Sequence, residues 1–136
     1  APKDANLYQT QKALDNAKHA VKDGGTIILI GACSEGLGSA KFEQWLKQAP
    51  DAHSMIDRVH QHFELGGHKA AAIAMVLEYA QIDLVSEMPD DFVRSIFLNP
   101  QPSAQRALDE AFQKYGADAT VLAMPFGGAT LPVVTE

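Results

Sequence analysis

The sequence has 136 residues, a formal net charge of −6, 46% hydrophobic residues and 21% charged residues. These values fit one globular domain and exclude a disordered chain, and the negative charge without a basic run argues against nucleic-acid binding. No apolar stretch is long enough to span a membrane, and we find no signal-peptide pattern. The single cysteine, Cys33, excludes an internal disulfide and favours a cytoplasmic location. The first residue is Ala1 and not methionine. Either processing of the N-terminus or a cut from a longer chain would explain this.

The first half of the chain predicts a helix, a strand and three further helices. The opening helix covers residues 7–21, with Asn6 as its N-cap and Gly24 as its stop. Residues 26–30 form a β-branched run without polar alternation, which is typical of a strand buried on both faces. The inward side chains predicted for the next three helices are Phe42, Trp45 and Leu46, then Met55, Ile56, Val59 and Phe63, then Ile73, Val76, Leu77 and Ala80.

The second half predicts two more strands and two more helices. Residues 82–87 are a strand candidate, and a small helix follows Pro89. Ser103 caps a predicted helix that ends at Gly116, and residues 119–124 are predicted as a third buried strand. The inward positions of that helix are Ala104, Leu108, Ala111, Phe112 and Tyr115. Strands separated by helices imply a parallel sheet, so we expect a single α/β domain over residues 1–136, a three-layer sandwich with three or four strands.

Glycines mark the places where ligands bind to such folds. Gly36 and Gly38 follow the first strand, Gly66 and Gly67 precede a helix, and residues 127–128 follow the predicted third strand. Ligands bind beyond the carboxyl ends of parallel strands, and helix N-termini offer free N–H groups to anions. Ordinary turns explain each cluster as well. Their spacing matches neither the dinucleotide fingerprint nor the Walker A loop.

The histidines and the cysteine do not indicate a site within this chain. His60 and His62 would point about 200° apart on a helix, so they would not share a metal ion. No cysteine or carboxylate cluster has ligand spacing, and we predict no metal site here. Cys33 has no base beside it in sequence and is predicted to be a buried structural thiol.

The first helix carries the most suggestive polar residues. Gln9 and Lys12 are three residues apart and lie nearly opposite the apolar stripe, with Tyr8 one turn before Lys12. An ordinary solvated face explains this arrangement. The alternative is that they point into a cleft shared with a second domain, where an ammonium and an amide can hold a small carboxylate.

Three motifs occur in an order that resembles a known family. They are residues 7–13 (LYQTQKA), residues 34–39 (SEGLGS) and residues 65–70 (LGGHKA), followed by a tail rich in proline and glycine. Together they resemble the C-terminal domain of the nickel-pincer-dependent lactate racemase family, over nearly the whole chain. The resemblance implies an isomerase that racemises or epimerises 2-hydroxy acids by hydride transfer to and from a nickel-pincer nucleotide, with histidines as acid and base.

The family pattern also implies which residues belong to this chain. The cofactor and the catalytic histidines belong to an N-terminal domain of the same polypeptide, so we expect no catalytic residue and no bound cofactor here, and an inactive isolated domain. Gln9 and Lys12 match the family's substrate-binding pair, and Tyr8, their neighbour, is a further candidate for substrate binding. The resemblance suggests a cleft or interface role for Gly36, Gly38, Gly67, His68 and Lys69.

Two other classes of function remain open at this point. A regulatory module could bind a nucleotide or small molecule at the glycine-rich loops without doing chemistry, and Lys12 would then be dispensable. An oligomerisation domain would need a large apolar surface patch, and the sequence shows no obvious one.

Overall fold

A computed structural model, which describes residues 2–135, contains one three-stranded parallel sheet in which the strands lie side by side in chain order. Helices connect the strands and lie against both faces, so the predicted α/β sandwich is confirmed. No helix in this part of the chain is long and apolar enough to cross a membrane. The elements are α1 (Leu7–Ala17), β1 (Gly25–Ile30), α2 (Ala40–Gln48), α3 (His53–Gln61), α4 (Gly67–Leu77), β2 (Ala80–Val85), α5 (Asp90–Ser95), β3 (Asn99–Gln101), α6 (Ala104–Tyr115) and a short 3-10 turn (Gly127–Ala129).

The two faces of the sheet differ in chemistry. In the β1-β2 register Ile27 pairs with Ile82, and both side chains lie in the main apolar core, together with Leu14 of α1. The main core consists of this face packed against α1 and against the helices that connect the strands. The opposite face meets α6, where the Tyr115 hydroxyl lies 2.7 Å from the Thr26 hydroxyl.

A polar network lies between β2, β3 and α6. The buried carboxylate of Asp83 accepts hydrogen bonds from the side-chain amides of Gln81, Asn99 and Gln101, at 2.6, 3.0 and 3.2 Å. Gln101 also donates to Glu110 of α6, and this bond is the main reason that the pKa of Glu110 is lowered. These bonds satisfy a buried charge and fix β3 beside β2.

The predicted third strand is wrong. Residues 119–124 form no regular element, and Val121 and Leu122 are 54% and 61% exposed. The third strand is instead Asn99–Gln101, which pairs with β2 at the edge of the sheet. Its Pro100 made it unlike a strand in sequence, but an edge strand tolerates proline because one side of its backbone needs no partner.

Three smaller differences concern helix ends and faces. The first helix ends at Ala17, four residues before the predicted end. A tighter turn follows Ala17, in which the backbone N–H of Ala20 donates to the Ala17 carbonyl. Phe63 is 65% exposed and packs on the His68 ring instead of in the core. In α6 four of the predicted inward residues are half-buried and Ala104, in the first turn, is exposed, whereas the fully buried residue is Ala107, which was not among the predicted positions.

The end signals of α6 are confirmed. The Ser103 hydroxyl accepts from the backbone N–H of Arg106 at 3.1 Å, and Gly116 ends the helix with a φ of +94°. Local capping chemistry was sufficient to define this element.

Candidate functional site

The start of α1 is held by the glycine loop that follows β1. The N–H groups of Leu7 and Tyr8 donate to the carbonyls of Gly36 and Leu37, at 2.9 and 3.1 Å. The Asn6 side chain caps the N–H of Gln9 at 2.8 Å. The first N–H groups of α1 are therefore bonded within the chain, so they offer no free donors to a phosphate.

Gly38 is required for this arrangement. Its φ is +87°, and a Cβ at this position would lie 2.3 Å from the Asn6 side chain. Gly36 has a φ of +73° in the same loop, although a Cβ there would meet nothing within 4 Å. The structure thus places Gly36 and Gly38 beneath the start of α1, where they set the position of the helix.

The polar face of α1 is exposed, as predicted. Gln9 and Lys12 lie on the solvent side, opposite the buried Leu7 and Leu14. Within residues 2–135, no carboxylate lies in ion-pair distance of Lys12. An exposed amide and an exposed ammonium on adjacent turns can both donate to one anion.

Lys69, from the first turn of α4, reaches across to α1. Its Nζ lies 4.0 Å from the centre of the Tyr8 ring and donates to the Tyr8 carbonyl at 3.2 Å. The buried Gln11 side chain donates to the Lys69 carbonyl at 2.7 Å. The Tyr8 ring is fixed in turn by an edge-on contact with Phe42, with ring centres 5.6 Å apart. Tyr8 therefore joins Lys69 to the helix that carries Gln9 and Lys12.

The double glycine at the start of α4 lets this helix pack closely against α2. Gly66 has a φ of +92°, and a Cβ on Gly67 would lie 2.3 Å from Cε2 of the buried Trp45. Nδ1 of His68 accepts the backbone N–H of Gly66 at 3.0 Å. The structure thus gives Gly67 a packing role and His68 a local hydrogen bond, while Lys69 alone among the three reaches the α1 surface.

The tail packs on the other side of the same helix. The Asn16 side-chain amide donates to the Gly127 carbonyl at 2.7 Å, and a Cβ on Gly127 would lie 3.0 Å from that of Ala13. By helical angle, Lys12 lies between this turn and Lys69, and Gln9 lies on the side of the turn. Asn16 was not predicted as part of this surface, although it follows Lys12 by four residues and so shares its face.

The remaining candidate groups do not form a site with these residues. Within residues 2–135, no three histidine, cysteine, aspartate or glutamate side chains are close enough to hold a metal ion. Cys33 is a buried thiol, as predicted, and burial raises its pKa. Two concavities, of about 420 and 300 Å³, lie elsewhere, beside Asn99 and beside Tyr79, and neither includes Gln9 or Lys12.

Comparison with known proteins gives consistent matches. The family model described as the lactate racemase C-terminal domain matches residues 1–131. Lactate racemases from Thermoanaerobacterium thermosaccharolyticum and Lactiplantibacillus plantarum are 25% and 26% identical over 131 residues, covering 93% of this chain and 31% of each relative. The solved lactate racemase apoprotein from T. thermosaccharolyticum has a TM-score of 0.88 at 24% identity, covering 96% of this chain and 32% of that one. The chain therefore shares that fold and spans about a third of the length of the curated relatives it matches.

Proposed function

Because this chain belongs to the lactate racemase C-terminal domain family, we propose that it is the C-terminal domain of a cytoplasmic 2-hydroxy acid racemase or epimerase. In this proposal Gln9 and Lys12 bind the substrate carboxylate in a cleft completed by an N-terminal domain. The observation that supports it is the exposed pair on α1, which has no carboxylate partner within residues 2–135 and is flanked by anchored elements on both sides. A polar pair held this way is open to a ligand from outside the domain.

The chemistry of the pair suits a carboxylate. The Lys12 ammonium supplies charge-assisted hydrogen bonds, which are shorter and stronger than neutral ones. The Gln9 amide adds a neutral donor for a carboxylate or hydroxyl oxygen. Covering the site by a second domain would exclude water and strengthen both interactions. Tyr8 keeps α1 in place through Phe42 and Lys69 and does not need to touch the substrate.

A surface for the second domain is present in the tail. Contrary to our expectation from the sequence, large apolar side chains are exposed along residues 121–134, which is unusual for a free surface. We propose that this segment contacts the N-terminal domain. The exposed side chains are Val121, Leu122, Phe126, Leu131, Val133 and Val134.

The nickel-pincer nucleotide belongs to that other domain in this proposal. The described residues of this chain, 2–135, do not provide a donor set for a metal ion. As the family resemblance implies, we assign hydride transfer and acid-base chemistry to groups outside this chain. The role of this chain is to bind and orient the substrate. Holding a substrate in the right geometry against the reacting group supplies a large part of the rate enhancement of an enzyme.

The structure gives less support to a regulatory nucleotide-binding module. Such a module would use the glycine loops, but the Gly36 carbonyl is bonded to the start of α1 and Gly67 is packed against Trp45. Both clusters already have a structural role. The racemase proposal gives the exposed pair Gln9 and Lys12 a role, which a nucleotide-binding module at the glycine loops would not.

The test uses the full-length protein, matured with its nickel cofactor. We would incubate it with single-enantiomer 2-hydroxy acids and follow the opposite enantiomer by chiral chromatography. We expect turnover of at least one substrate, and Lys12→Ala to lower kcat/KM by roughly 10- to 100-fold through loss of a charge-assisted hydrogen bond. Lys22→Ala is the matched control, because Lys22 is also exposed but lies outside α1.

Two outcomes would contradict the proposal. One is a nickel-loaded protein that turns over nothing on the panel, and the other is a Lys12→Ala variant as active as Lys22→Ala. We also expect the isolated 136-residue chain to neither racemise these acids nor retain stoichiometric nickel. Tight nickel binding by that chain alone would show that cofactor ligands lie within it.

A further inference from the structure

Gln11 is a polar residue at a core position of α1. It lies between the buried Leu7 and Leu14, and its side chain is fully buried. Glutamine is seldom buried completely, and leucine would suit both this helix and this core better. The Gln11 side-chain amide donates to the Lys69 carbonyl at 2.7 Å, whereas its side-chain oxygen has no hydrogen-bond partner among residues 2–135. A buried acceptor without a partner costs free energy, so stability alone does not explain this residue.

The bond from Gln11 is not needed to satisfy the backbone of α4 either. Within that helix the Lys69 carbonyl already accepts the backbone N–H of Ile73, four residues on. The Gln11 amide is therefore a second donor to a carbonyl that has a partner. What this bond adds is a direct link between α1 and α4, through two residues that are 58 positions apart in the chain.

A second bond joins the same two helices at the same turn of α1. The Lys69 ammonium donates to the Tyr8 carbonyl at 3.2 Å and lies over the Tyr8 ring. Tyr8 and Gln11 are three residues apart, so both bonds connect one turn of α1 to one residue of α4. That turn carries Gln9 and Lys12, and in the helix the Tyr8 carbonyl also accepts the backbone N–H of Lys12. Two bonds at separate points restrict the rotation of α1 about its axis as well as its distance from α4.

We infer that Gln11 is a positioning residue for substrate binding. This inference rests on the proposed function, in which Gln9 and Lys12 hold the substrate carboxylate. Apolar packing is non-directional and tolerates small rotations of a helix, whereas hydrogen bonds have a preferred direction. The bond from Gln11 fixes the rotation of α1 against α4, and this rotation sets the direction in which the Gln9 and Lys12 side chains point. A displacement of about 1 Å at such groups is enough to weaken turnover strongly.

The test replaces Gln11 by methionine, which has a similar volume but cannot donate this hydrogen bond, in the matured full-length protein. For the panel acid that is turned over fastest, we expect Gln11→Met to raise KM about tenfold and to change kcat less than about threefold. The urea midpoint should stay the same or rise, because the variant loses one hydrogen bond and also one unpartnered buried oxygen. Tyr79→Phe is the matched control. It removes a hydrogen bond from a side chain to the Lys18 carbonyl at the other end of α1, and it should leave KM unchanged.

A binding measurement shows whether Gln11 acts through Lys12. The ligand is propionate, a carboxylate that lacks the reacting hydroxyl, and its binding to the full-length protein is followed by calorimetric titration. We expect Gln11→Met to raise the dissociation constant of propionate about tenfold. In a Lys12→Ala background the same substitution should change this constant less than about twofold, because the contact that Gln11 positions is already gone.

Three results would overturn the role of Gln11. They are an unchanged KM in Gln11→Met, a lower kcat at an unchanged KM, which is the sign of a smaller folded fraction, and an equal effect of Gln11→Met with and without Lys12. In each of these cases the proposed function stands if Lys12→Ala still weakens turnover and propionate binding. If Lys12→Ala changes neither, the proposed function fails and the inference about Gln11 fails with it.

Discussion

Replacing Gly67 by alanine tests the packing of α4 against α2. An added Cβ would lie 2.3 Å from Cε2 and 2.6 Å from Cδ2 of Trp45. Real Cβ atoms do not approach a ring this closely, so either the ring or the helix must move. Trp45 is fully buried, and the Arg58 guanidinium covers its ring at 4.2 Å, so the ring has little room.

The cost of this substitution follows from two opposing effects. Alanine in a helix is favoured over glycine by about 1 kcal/mol in the absence of contacts. Overpacking a core costs roughly 1–3 kcal/mol. We expect overpacking to win, because the contact is with a rigid ring, and Gly67→Ala should lower the free energy of unfolding by about 1–2 kcal/mol. Gly128→Ala is the control, since a Cβ there meets nothing within 4 Å.

The assay is urea unfolding followed by circular dichroism, with the slope of the transition checked to be unchanged. A double-mutant cycle sharpens it, because Trp45→Leu removes the ring atoms that the new methyl group meets. Gly67→Ala should then cost less in the Trp45→Leu background, with a coupling of about 0.5–3 kcal/mol. An unchanged stability of Gly67→Ala, or no coupling in the cycle, would refute this reasoning.

Three further predictions concern other groups. The pKa of His53 is raised, and the largest cause is its hydrogen bond with Glu78. The pair therefore contributes its full stabilisation of the fold below the ordinary histidine pKa, and this contribution is lost as the pH rises through the raised pKa. NMR titration should show the raised pKa return towards normal in Glu78→Gln; no change would contradict this origin. Cys33 should react with a disulfide reagent only as fast as the chain unfolds, because burial shields it and raises its pKa; rapid labelling of the native chain would be inconsistent with this. Asn16→Ala should release the Gly127 turn, which should lower the free energy of unfolding by about 1 kcal/mol and speed the exchange of backbone amide hydrogens in that turn. Asn16→Asp cannot donate this hydrogen bond and should have the same effects. Unchanged hydrogen exchange in both variants would show that Asn16 does not hold the turn.

The candidate site could be predicted from sequence only in part. Helical spacing alone placed Gln9 and Lys12 on the exposed face of α1, because both lie within one regular element. It could not place Lys69 on Tyr8, since these residues are 61 positions apart and meet only through packing of α4 against α1. Their roles in substrate binding stay predictions until the variants are measured.

The fold shows the same division between local and distant interactions. Local signals were enough to predict α6, through the Ser103 cap and the Gly116 stop, and β1, as a β-branched run, because these signals act between near neighbours. The third strand depends on contacts between distant parts of the chain. Residues 119–124 have a strand-like composition and remain outside the sheet, whereas Asn99–Gln101 joins it. A strand needs a partner, and β3 pairs with the backbone of β2, while its Asn99 and Gln101 amides donate to the buried Asp83 carboxylate.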